Sequence, residues 1–428
     1  MSEEMRGVPR REMRGAPRRV FDTLKERGFV SQCSNEDGLR KLLDTERVTF
    51  YIGFDPTAKS LQVGNLMQLM YMSHLQKAGH RPIMLIGGGT TMIGDPSGKS
   101  EMRKIMPVET IAENAAIFKR ETARFLDFSE GRALMLDNAE WLAPLNYIEF
   151  LRDIGKHFSV NRMLSFETYK MRLETGLSFI EFNYQLLQSY DYLVLYRKHG
   201  CRLQMGGDDQ WGNIVAGMDL IRRIEGVEVF ALTSPLVTTS DGKKMGKSEK
   251  GALYLDPALT SPYDFYQYWV NITDEDTAPF LKRFTFLPVA EIDEMCAVRD
   301  QRINEAKRRL AFEVTCLVHG EAAAKEAAGA ARAAFSGGGD GPADLSGVPS
   351  VTVPRAEMEK GISVVDLFVR TTLCATKSDA RRLVSQGGAW VGKANVTDID
   401  ALVKLDSVEG GGILLRAGKK RYFRVLVS

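Results

Sequence analysis

The sequence predicts an α/β protein built around a parallel sheet, because strand-like and helix-like segments alternate along its first half. Residues 48–52, 81–86 and 201–205 are short β-rich runs with the length of buried strands. Residues 64–79 carry apolar side chains at helical spacing, and 179–199 form another helical segment. Strands that alternate with helices are typical of a parallel sheet, in which ligands gather where the strands end.

The second half is predicted to hold a helical region and a separate small module. Helical segments continue to about Phe335, and residues 336–342 (SGGGDGP) then have the composition of a linker. From about Val351 the chain is predicted to form a small basic α/β module. Residues 1–20 contain the repeat EMRG-x-PRR and are predicted to be a disordered basic arm, with a mitochondrial transit peptide as the alternative interpretation.

The overall composition is that of a soluble globular protein. The 428 residues are 44% hydrophobic and 26% charged, and no apolar run approaches the roughly 20 residues that span a bilayer. The first twenty residues lack the apolar segment of a secretory signal. The five cysteines lie far apart without a C-x-x-C pair, which favours free thiols in a reducing compartment. We therefore predict a cytoplasmic protein with neither a disulfide framework nor a structural metal.

The net charge of +2 is unevenly distributed along the chain. Residues 351–428 carry 13 lysines and arginines against 8 acidic residues, and residues 1–20 carry 6 against 3. Basic ends on an acidic middle indicate a polyanionic partner at the periphery, while solvated surface charge is the alternative explanation of the same numbers.

Two segments in the first hundred residues are candidates for phosphate chemistry. The strand end at 53–57 (GFDPT) leads to a predicted helix start at 62–65 (QVGN), where backbone donors and the helix dipole can meet phosphate oxygens. In 94–99 (GDPSGK) the aspartate can hold an ammonium group, and the lysine can hold a polyphosphate together with Arg103. Ordinary loops with turn residues and surface charges are the alternative for both.

Two further segments complete the candidate chemistry. Tyr184, Gln188 and Asp191 are spaced i, i+4 and i+7 on a predicted helix and therefore share one face. A phenol, an amide and a carboxylate suit a pocket for a ligand with an amine and a hydroxyl, and their apolar neighbours weaken the alternative of a solvent-facing stripe. Residues 241–248 (DGKKMGKS) are either a basic surface loop or a mobile loop whose lysines close over a triphosphate.

Taken in this order, the segments resemble the class I aminoacyl-tRNA synthetases, and specifically the bacterial tyrosyl family. Residues 244–248 (KMGKS) resemble the KMSKS loop of that class. Residues 51–57 (YIGFDPT) match the family pattern Y-x-G-F-D-P-T, and 206–213 (GGDDQWGN) match G-G-S-D-Q-W-G-N with Asp208 in place of serine. The similarity extends from about residue 21 to the end of the chain.

The resemblance implies a Rossmann-like catalytic domain, then an α-helical domain, then a small S4-like α/β RNA-binding domain. The implied boundaries are 1–20 for the basic arm, 21–235 for the catalytic domain that binds ATP and tyrosine, 236–335 for the lysine loop and the helical anticodon-side domain, 336–350 for the linker and 351–428 for the S4-like domain. The implied partners are L-tyrosine, ATP with Mg²⁺, tRNA(Tyr) and a second copy in a homodimer, with no membrane.

The resemblance also assigns expected roles to individual residues. The phenol hydroxyl of tyrosine is expected at Tyr51 and Asp191, its amino group at Asp95, Tyr184 and Gln188, and its carboxylate near Gln210, with Asn138 in the same network. ATP is expected at Gly53, Asp55, Gly64, Gly206, Asp209 and Lys247. The catalytic positions are Thr57, Gln62, Asn65, Lys99, Arg103, Lys244, Lys247 and Ser248. tRNA is expected at Lys377, Arg381, Arg382, Lys419, Lys420 and Arg421.

One departure from the family pattern concerns the class I signature H-I-G-H, which is replaced by 62–65 (QVGN). Gln62 and Asn65 keep amide donors for phosphate but cannot become cationic. We predict an active enzyme, with a catalytically weakened paralogue that acts as an RNA-binding or regulatory protein as the alternative. A tryptophanyl enzyme is disfavoured, because a tryptophan pocket has no hydroxyl to pair with Tyr51 and Asp191.

Overall fold

The structure is a computed structural model that describes residues 19–97, 106–240, 242, 245–248, 251–297, 300–335, 348–408, 412–418 and 421–428. Five predicted site residues lie outside the described residues, namely Lys99, Arg103, Lys244, Lys419 and Lys420, as do residues 1–18 of the arm and 336–347 of the linker. Of Lys247 and Ser248 only the backbone is described. The chain divides into two compact units: the first comprises 1–57, 68–119 and 126–236, and the second comprises 58–67, 120–125 and 237–428.

The first unit is organised by a five-stranded parallel sheet. Its strands are β1 (Thr49–Phe54), β2 (Arg81–Ile86), β3 (Leu134–Asp137), β4 (Cys201–Gly207) and β5 (Phe230–Ser234). Their order is β3-β2-β1-β4-β5, so the direction of winding changes between β1 and β4. Such a switch point opens a crevice at the carboxyl ends of the strands. The predicted parallel α/β sheet is confirmed.

Helices flank and connect these strands. They are α1 (Val20–Glu26), α2 (Glu36–Thr45), α3 (Val63–Lys77), α4 (Gly88–Thr91), α5 (Val108–Thr122), α6 (Ala139–Leu142), α7 (Tyr147–Asp153), α8 (Val160–Leu164), α9 (Glu167–Thr175), α10 (Phe179–His199) and α11 (Trp211–Glu225). The longest, α10, begins at a capping box of Ser178 and Glu181 and ends at Gly200 in the left-handed region. Those two end signals fix where α10 begins and ends.

The second unit begins with a short hairpin and a helical bundle. The hairpin pairs β6 (Lys247–Ser248) with β7 (Gly251–Ala252). The helices are α12 (Pro262–Val270), α13 (Asp274–Phe284), α14 (Val289–Cys296), α15 (Ile303–His319) and α16 (Glu321–Phe335). Trp269 is fully buried in the bundle and contacts the rings of Phe280 and Phe284. No described helix combines the length and the apolar content needed to cross a membrane.

The last 80 or so residues fold around their own core. Strands β8 (Ser350–Val353), β10 (Ala389–Val391), β11 (Ala394–Val396), β13 (Gly412–Ala417) and β14 (Arg421–Val427) form a sheet in the order β11-β10-β13-β14-β8. Strands β9 (Ile362–Ser363) and β12 (Leu402–Val403) pair separately, and the helices are α17 (Arg355–Lys360), α18 (Val364–Arg370) and α19 (Lys377–Ser385). The predicted small α/β module after the helical region is confirmed.

Candidate active site

Polar residues gather at the carboxyl ends of the parallel strands in the first unit. Asp55 follows β1, Asn138 follows β3 and Asp208 follows β4. Asp55 and Asn138 form a group with residues of β1 and α10, with one residue between α4 and α5 and with one after β4. We call it the polar cluster, and it consists of Tyr51, Asp55, Asp95, Asn138, Tyr184, Gln188, Asp191 and Gln210. The cluster therefore lies where the topology of the sheet favours a ligand.

Asp191 is the most firmly held member of the polar cluster. It is only 2% exposed, and its carboxylate accepts hydrogen bonds from Asn138 Nδ2 at 2.9 Å and from Trp141 Nε1 at 2.7 Å. Asn138 is itself fixed, because its Oδ1 accepts from the Gly89 N–H at 2.8 Å and its Nδ2 also donates to Thr90 Oγ1 at 3.0 Å. The orientation of the Asp191 carboxylate is thus set before any ligand binds.

Burial governs the ionisation of Asp191. Desolvation raises the pKa of its carboxyl to about 8, against the opposing effect of the hydrogen bonds from Asn138 and Trp141. An ionised carboxylate at this position is costly and gains from a further hydrogen-bond donor. The Tyr51 ring lies in the same region, and the pKa of its phenol is raised well above the usual range by burial and by the charge of Asp191.

Two buried polar atoms of the cluster make no hydrogen bond within the described part of the chain. They are the Tyr51 hydroxyl and Oε1 of Gln188. A buried polar group without a partner costs roughly 1–3 kcal/mol. A ligand that brings a hydroxyl to Tyr51 and an ammonium to Gln188 would satisfy both atoms.

The remaining members of the cluster are linked in two short networks. Gln210 Nε2 donates to Asp95 Oδ2 at 2.7 Å, and Asn213 Nδ2 lies 3.3 Å from Gln210 Oε1. The Tyr184 hydroxyl donates to Asp55 Oδ2 at 2.9 Å, so a residue expected to bind tyrosine contacts one expected to bind ATP. A Cβ on Gly87 would lie 1.9 Å from Asp55 Oδ1, and glycine is therefore required beside that carboxylate.

The glycines that are predicted to bind ATP differ in how much open space surrounds them. Gly53 in the first unit and Gly64 in the second are exposed, and a Cβ on either would meet no described atom within 4 Å. Gly206 is packed instead, since its Cβ would lie 3.2 Å from the Gln210 side chain. Thr57 and Asp209 are partly exposed.

In the second unit, the signature segment (62–65) forms the start of α3. Asn65 Oδ1 accepts a hydrogen bond from the Gln62 N–H at 2.9 Å, which is the backward half of a capping box. Because the oxygen of the Asn65 amide faces the backbone, its NH₂ group remains the donor end. The predicted helix start at this segment is confirmed.

The described residues of the lysine loop (241–248) are also held by hydrogen bonds of their backbone. Met245 is buried, and its N–H donates to the Val237 carbonyl at 3.0 Å. Gly246 has φ of +82° and donates to the Tyr268 hydroxyl at 3.2 Å. Lys247 and Ser248 then enter the hairpin with β7.

Four of the predicted RNA-binding residues lie in the described part of the C-terminal module, three of them exposed and Arg421 half-buried. Lys377, Arg381 and Arg382 are on α19 and exposed; Lys377 pairs with Asp366 at 2.7 Å and Arg382 with Asp379 at 2.9 Å. Arg421 donates to the Leu373 carbonyl at 3.0 Å.

Some residues of the site were not predicted from the sequence. Trp141 was missed, although an indole three residues after Asn138 is a usable signal for a donor on the same helical turn. Thr90 and Asn213 were also missed, because hydroxyls and amides near helix starts are too common to single out. Asp208 stands where the family pattern has serine. Its carboxylate accepts hydrogen bonds from the hydroxyls of Ser31 and Thr233, each at 2.6 Å, and so helps to hold the ends of these strands.

Comparison with known proteins identifies the class. Residues 43–336 match the family described as tRNA synthetases class I (W and Y), and the chain belongs to that family. Residues 343–425 match the C-terminal domain described as Tyrosine--tRNA ligase SYY-like. The sequence-based prediction of an aminoacyl-tRNA synthetase is therefore confirmed.

Two curated relatives and one solved structure show which members of the family the chain is similar to. The chain is 55% identical to the Tyrosine--tRNA ligase of Acetivibrio thermocellus, over 95% of this chain and 98% of the relative. It is 54% identical to that of Caldanaerobacter subterraneus subsp. tengcongensis, over 96% and 99%. A C-terminally truncated mitochondrial tyrosyl-tRNA synthetase of Aspergillus nidulans aligns with a TM-score of 0.66 and 29% identity, over 73% of this chain and 93% of that one.

Proposed function

We propose that this enzyme activates L-tyrosine with ATP and transfers the tyrosyl group to the 3′ end of tRNA(Tyr). In the first step the tyrosine carboxylate attacks the α-phosphorus and displaces pyrophosphate with its magnesium. In the second step the terminal hydroxyl of the tRNA attacks the mixed anhydride. The protein need not supply a covalent nucleophile, so catalysis consists of positioning and charge stabilisation.

The observation that carries the proposal is the buried pair of Tyr51 and Asp191. An unpaired phenol hydroxyl and a carboxylate with a raised pKa are both costly in an empty site, and the hydroxyl of a bound tyrosine compensates both. Gln188, with its unpaired Oε1, and Asp95 are suited to the ammonium group of the same ligand. A tryptophan side chain offers no hydroxyl for this arrangement.

ATP and Mg²⁺ enter as substrates in this proposal. We assign the phosphates to the signature segment and to the lysines of 241–248, because exposed amide and ammonium donors suit a charge that develops during the reaction. Asp55, Asp209 and the glycines Gly53, Gly64 and Gly206 are assigned to the nucleotide. Among the described residues there is no group of three or more histidine, cysteine or acidic side chains that could hold a metal ion, so we assign the magnesium to the nucleotide itself.

Pyrophosphate exchange tests the proposed activation step. Purified protein with ATP and magnesium should exchange pyrophosphate into ATP when tyrosine is present and not when tryptophan replaces it. Lys247→Ala should lower the exchange rate with little change in tyrosine affinity, since its charge acts mainly in the transition state. Absence of exchange with every amino acid would favour an RNA-binding paralogue.

The transfer step is assigned to the C-terminal module together with tRNA. Its exposed basic residues suit an RNA backbone, whose binding weakens steeply with salt. A chain ending at residue 335 should retain pyrophosphate exchange and lose most tRNA charging, and Arg381→Ala should weaken tRNA binding without changing exchange. Charging by the truncated chain at the parent rate would remove the module from this role.

We also propose that the enzyme is a cytoplasmic homodimer. Eight exposed large apolar side chains fall between residues 147 and 180, including Ile148 and Phe179 at 70% exposure. Apolar surface of this extent is typical of an interface, and the predicted partner is a second copy. Ile148→Glu with Phe179→Glu should yield a monomer in analytical ultracentrifugation if this surface is the interface. The five free cysteines suit a reducing cytoplasm.

A further inference from the structure

Glu121, in the last turn of α5, is a buried carboxylate with no assigned role. It is 8% exposed. Its Oε1 accepts the hydroxyl hydrogen of Ser60 at 2.8 Å, and its Oε2 accepts the N–H of Leu61 at 2.8 Å. These two residues come directly before Gln62, so Glu121 holds the backbone that enters the signature segment.

The same stretch of backbone is held from a second side by the residues that follow the lysine loop. The Leu255 N–H donates to the Leu61 carbonyl at 2.8 Å, and the Val63 N–H donates to the Leu253 carbonyl at 3.1 Å. The Asp256 N–H donates to the Ser60 hydroxyl at 3.1 Å. The backbone that enters the signature segment is thus held between the Glu121 carboxylate and the segment 253–256.

The segment 253–256 is also hydrogen-bonded to the lysine loop (residues 241–248). The Leu253 N–H donates to the Gly246 carbonyl at 2.8 Å, and Gly246 precedes Lys247 directly. A chain of hydrogen bonds therefore runs from Glu121 through the signature segment to the loop that carries the lysines. A carboxylate that accepts two donors is a strong anchor for such a chain.

We propose that Glu121 is a positioning residue for adenylate formation, which fixes the backbone from which Gln62 and Asn65 reach the phosphates. This inference rests on the proposed function and concerns its activation step. Because neither residue can become cationic, their amide dipoles stabilise the transition state only if they are held in place beforehand. An anchor next to this segment is therefore more important here than beside two histidines.

The anchor at Glu121 does not depend on the charge of its carboxyl. Burial raises the pKa of its carboxyl, and the charge of Asp256 adds to that effect, while the Leu61 N–H, the Ser60 hydroxyl and Arg120 oppose it. Glu121 lines a surface cavity of about 160 Å³ together with Arg120, Arg124 and Asp256, so it can exchange protons with water. Protonation turns one oxygen into an O–H donor, and the carboxyl then keeps both contacts as a glutamine amide would: its other oxygen accepts from the Leu61 N–H, and its O–H donates to the Ser60 hydroxyl.

The test compares Glu121→Ala with Glu121→Gln in tyrosine-dependent pyrophosphate exchange. Alanine removes both acceptors. Glutamine can keep the geometry, because its oxygen accepts from the Leu61 N–H, its NH₂ group donates to the Ser60 hydroxyl, and that hydroxyl turns to the Leu61 carbonyl 3.0 Å away. Glu113→Ala, on an exposed face of the same helix, is the matched control.

We expect Glu121→Ala to lower kcat by about tenfold or more with the KM for tyrosine unchanged, and Glu121→Gln to stay within about threefold of the parent. Parent and Glu121→Gln should have the same pH profile, because the protonated carboxyl and the amide make the same two contacts. Parent-like exchange by Glu121→Ala would overturn the role of Glu121, as would a loss in Glu121→Gln as large as the loss in Glu121→Ala. If the alanine variant fails to fold, Glu121→Asp takes its place: its carboxylate is one methylene shorter, so it should lower kcat with the KM for tyrosine unchanged, and a parent-like kcat would overturn the role. A parent without tyrosine-dependent exchange would overturn the proposed function as well.

Discussion

The polar cluster and the signature segment belong to the same proposed reaction and differ in how they are built. In the polar cluster, Asp191 and Asn138 are nearly inaccessible and locked by several hydrogen bonds. In the signature segment, Gln62 and Asn65 are partly exposed, and only the backbone is firmly anchored. On the roles proposed for these residues, we expect amino-acid selection to depend on buried atoms held rigidly, and phosphate binding to depend on an anchored backbone with adaptable side chains.

This difference explains why the two regions tolerate change differently. A hydroxyl is recognised by a few short hydrogen bonds in a dry site, where one lost partner leaves another unpaired. Phosphates are recognised by many donors near water, each worth less. We therefore expect activity to persist with both signature histidines replaced, and we expect the residues facing the phenol hydroxyl to be irreplaceable.

The largest expected effect is at Asp191. Asp191→Ala should lower kcat/KM for tyrosine by about 100-fold, a loss of roughly 3 kcal/mol, and should affect phenylalanine much less. The reason is that only tyrosine brings a hydroxyl to the carboxylate. Steady-state pyrophosphate exchange with both amino acids measures the ratio. Equal losses for the two substrates would show that Asp191 does not recognise the hydroxyl. They would also contradict the proposed difference between the polar cluster and the signature segment.

The next largest effect concerns stability and pH at the same residue. Burial raises the pKa of Asp191 in the folded chain to about 8, from the 3.8 of an unperturbed aspartate, so the folded chain binds the extra proton between those values and the parent loses stability as the pH rises through that window. Asp191→Asn does not titrate. Its free energy of unfolding relative to the parent should rise by roughly 2.5 kcal/mol from pH 5 to pH 7. Denaturant unfolding at both pH values provides the measurement, and a difference independent of pH would contradict a raised pKa.

A smaller effect is expected in the signature segment. Asn65→Asp keeps the oxygen that caps the Gln62 N–H but removes the NH₂ donor and adds a negative charge. If Asn65 binds phosphate, Asn65→Asp should reduce adenylate formation by about tenfold, at least as much as Asn65→Ala. Were Asn65 only a helix cap, the aspartate variant would match the parent while the alanine variant would be less stable. Single-turnover adenylate formation and thermal unfolding separate these outcomes.

The smallest effect is at Tyr51. Its hydroxyl is buried without a partner, so Tyr51→Phe should stabilise the free enzyme by about 1 kcal/mol while weakening tyrosine use. Thermal unfolding with and without tyrosine tests both parts. A destabilised variant would show that the hydroxyl has a partner in the free enzyme, and the cluster would then be less prepared for its ligand than we infer.

The sequence predicted local features well and long-range ones poorly. The face shared by Tyr184, Gln188 and Asp191 follows from helical spacing alone, and the start of α3 follows from the residues around Gly64. The contact of Trp141 with Asp191 joins residues 50 positions apart, and the contact of Glu121 with Ser60 joins residues 61 apart. No local pattern encodes such pairs. Strand β3 was missed because four residues are too short to show a period.

One measurement tests most directly whether the polar cluster binds tyrosine while the signature segment acts on the phosphates of ATP. Tyrosine binding at equilibrium, without ATP, should be measured by calorimetry for the parent, for Asp191→Ala and for Gln62→Ala with Asn65→Ala. The double variant should bind tyrosine like the parent although it forms adenylate more slowly, and Asp191→Ala should show little binding. Tyrosine affinity retained in Asp191→Ala, or lost in the double variant, would contradict the assignment of amino-acid selection to the polar cluster.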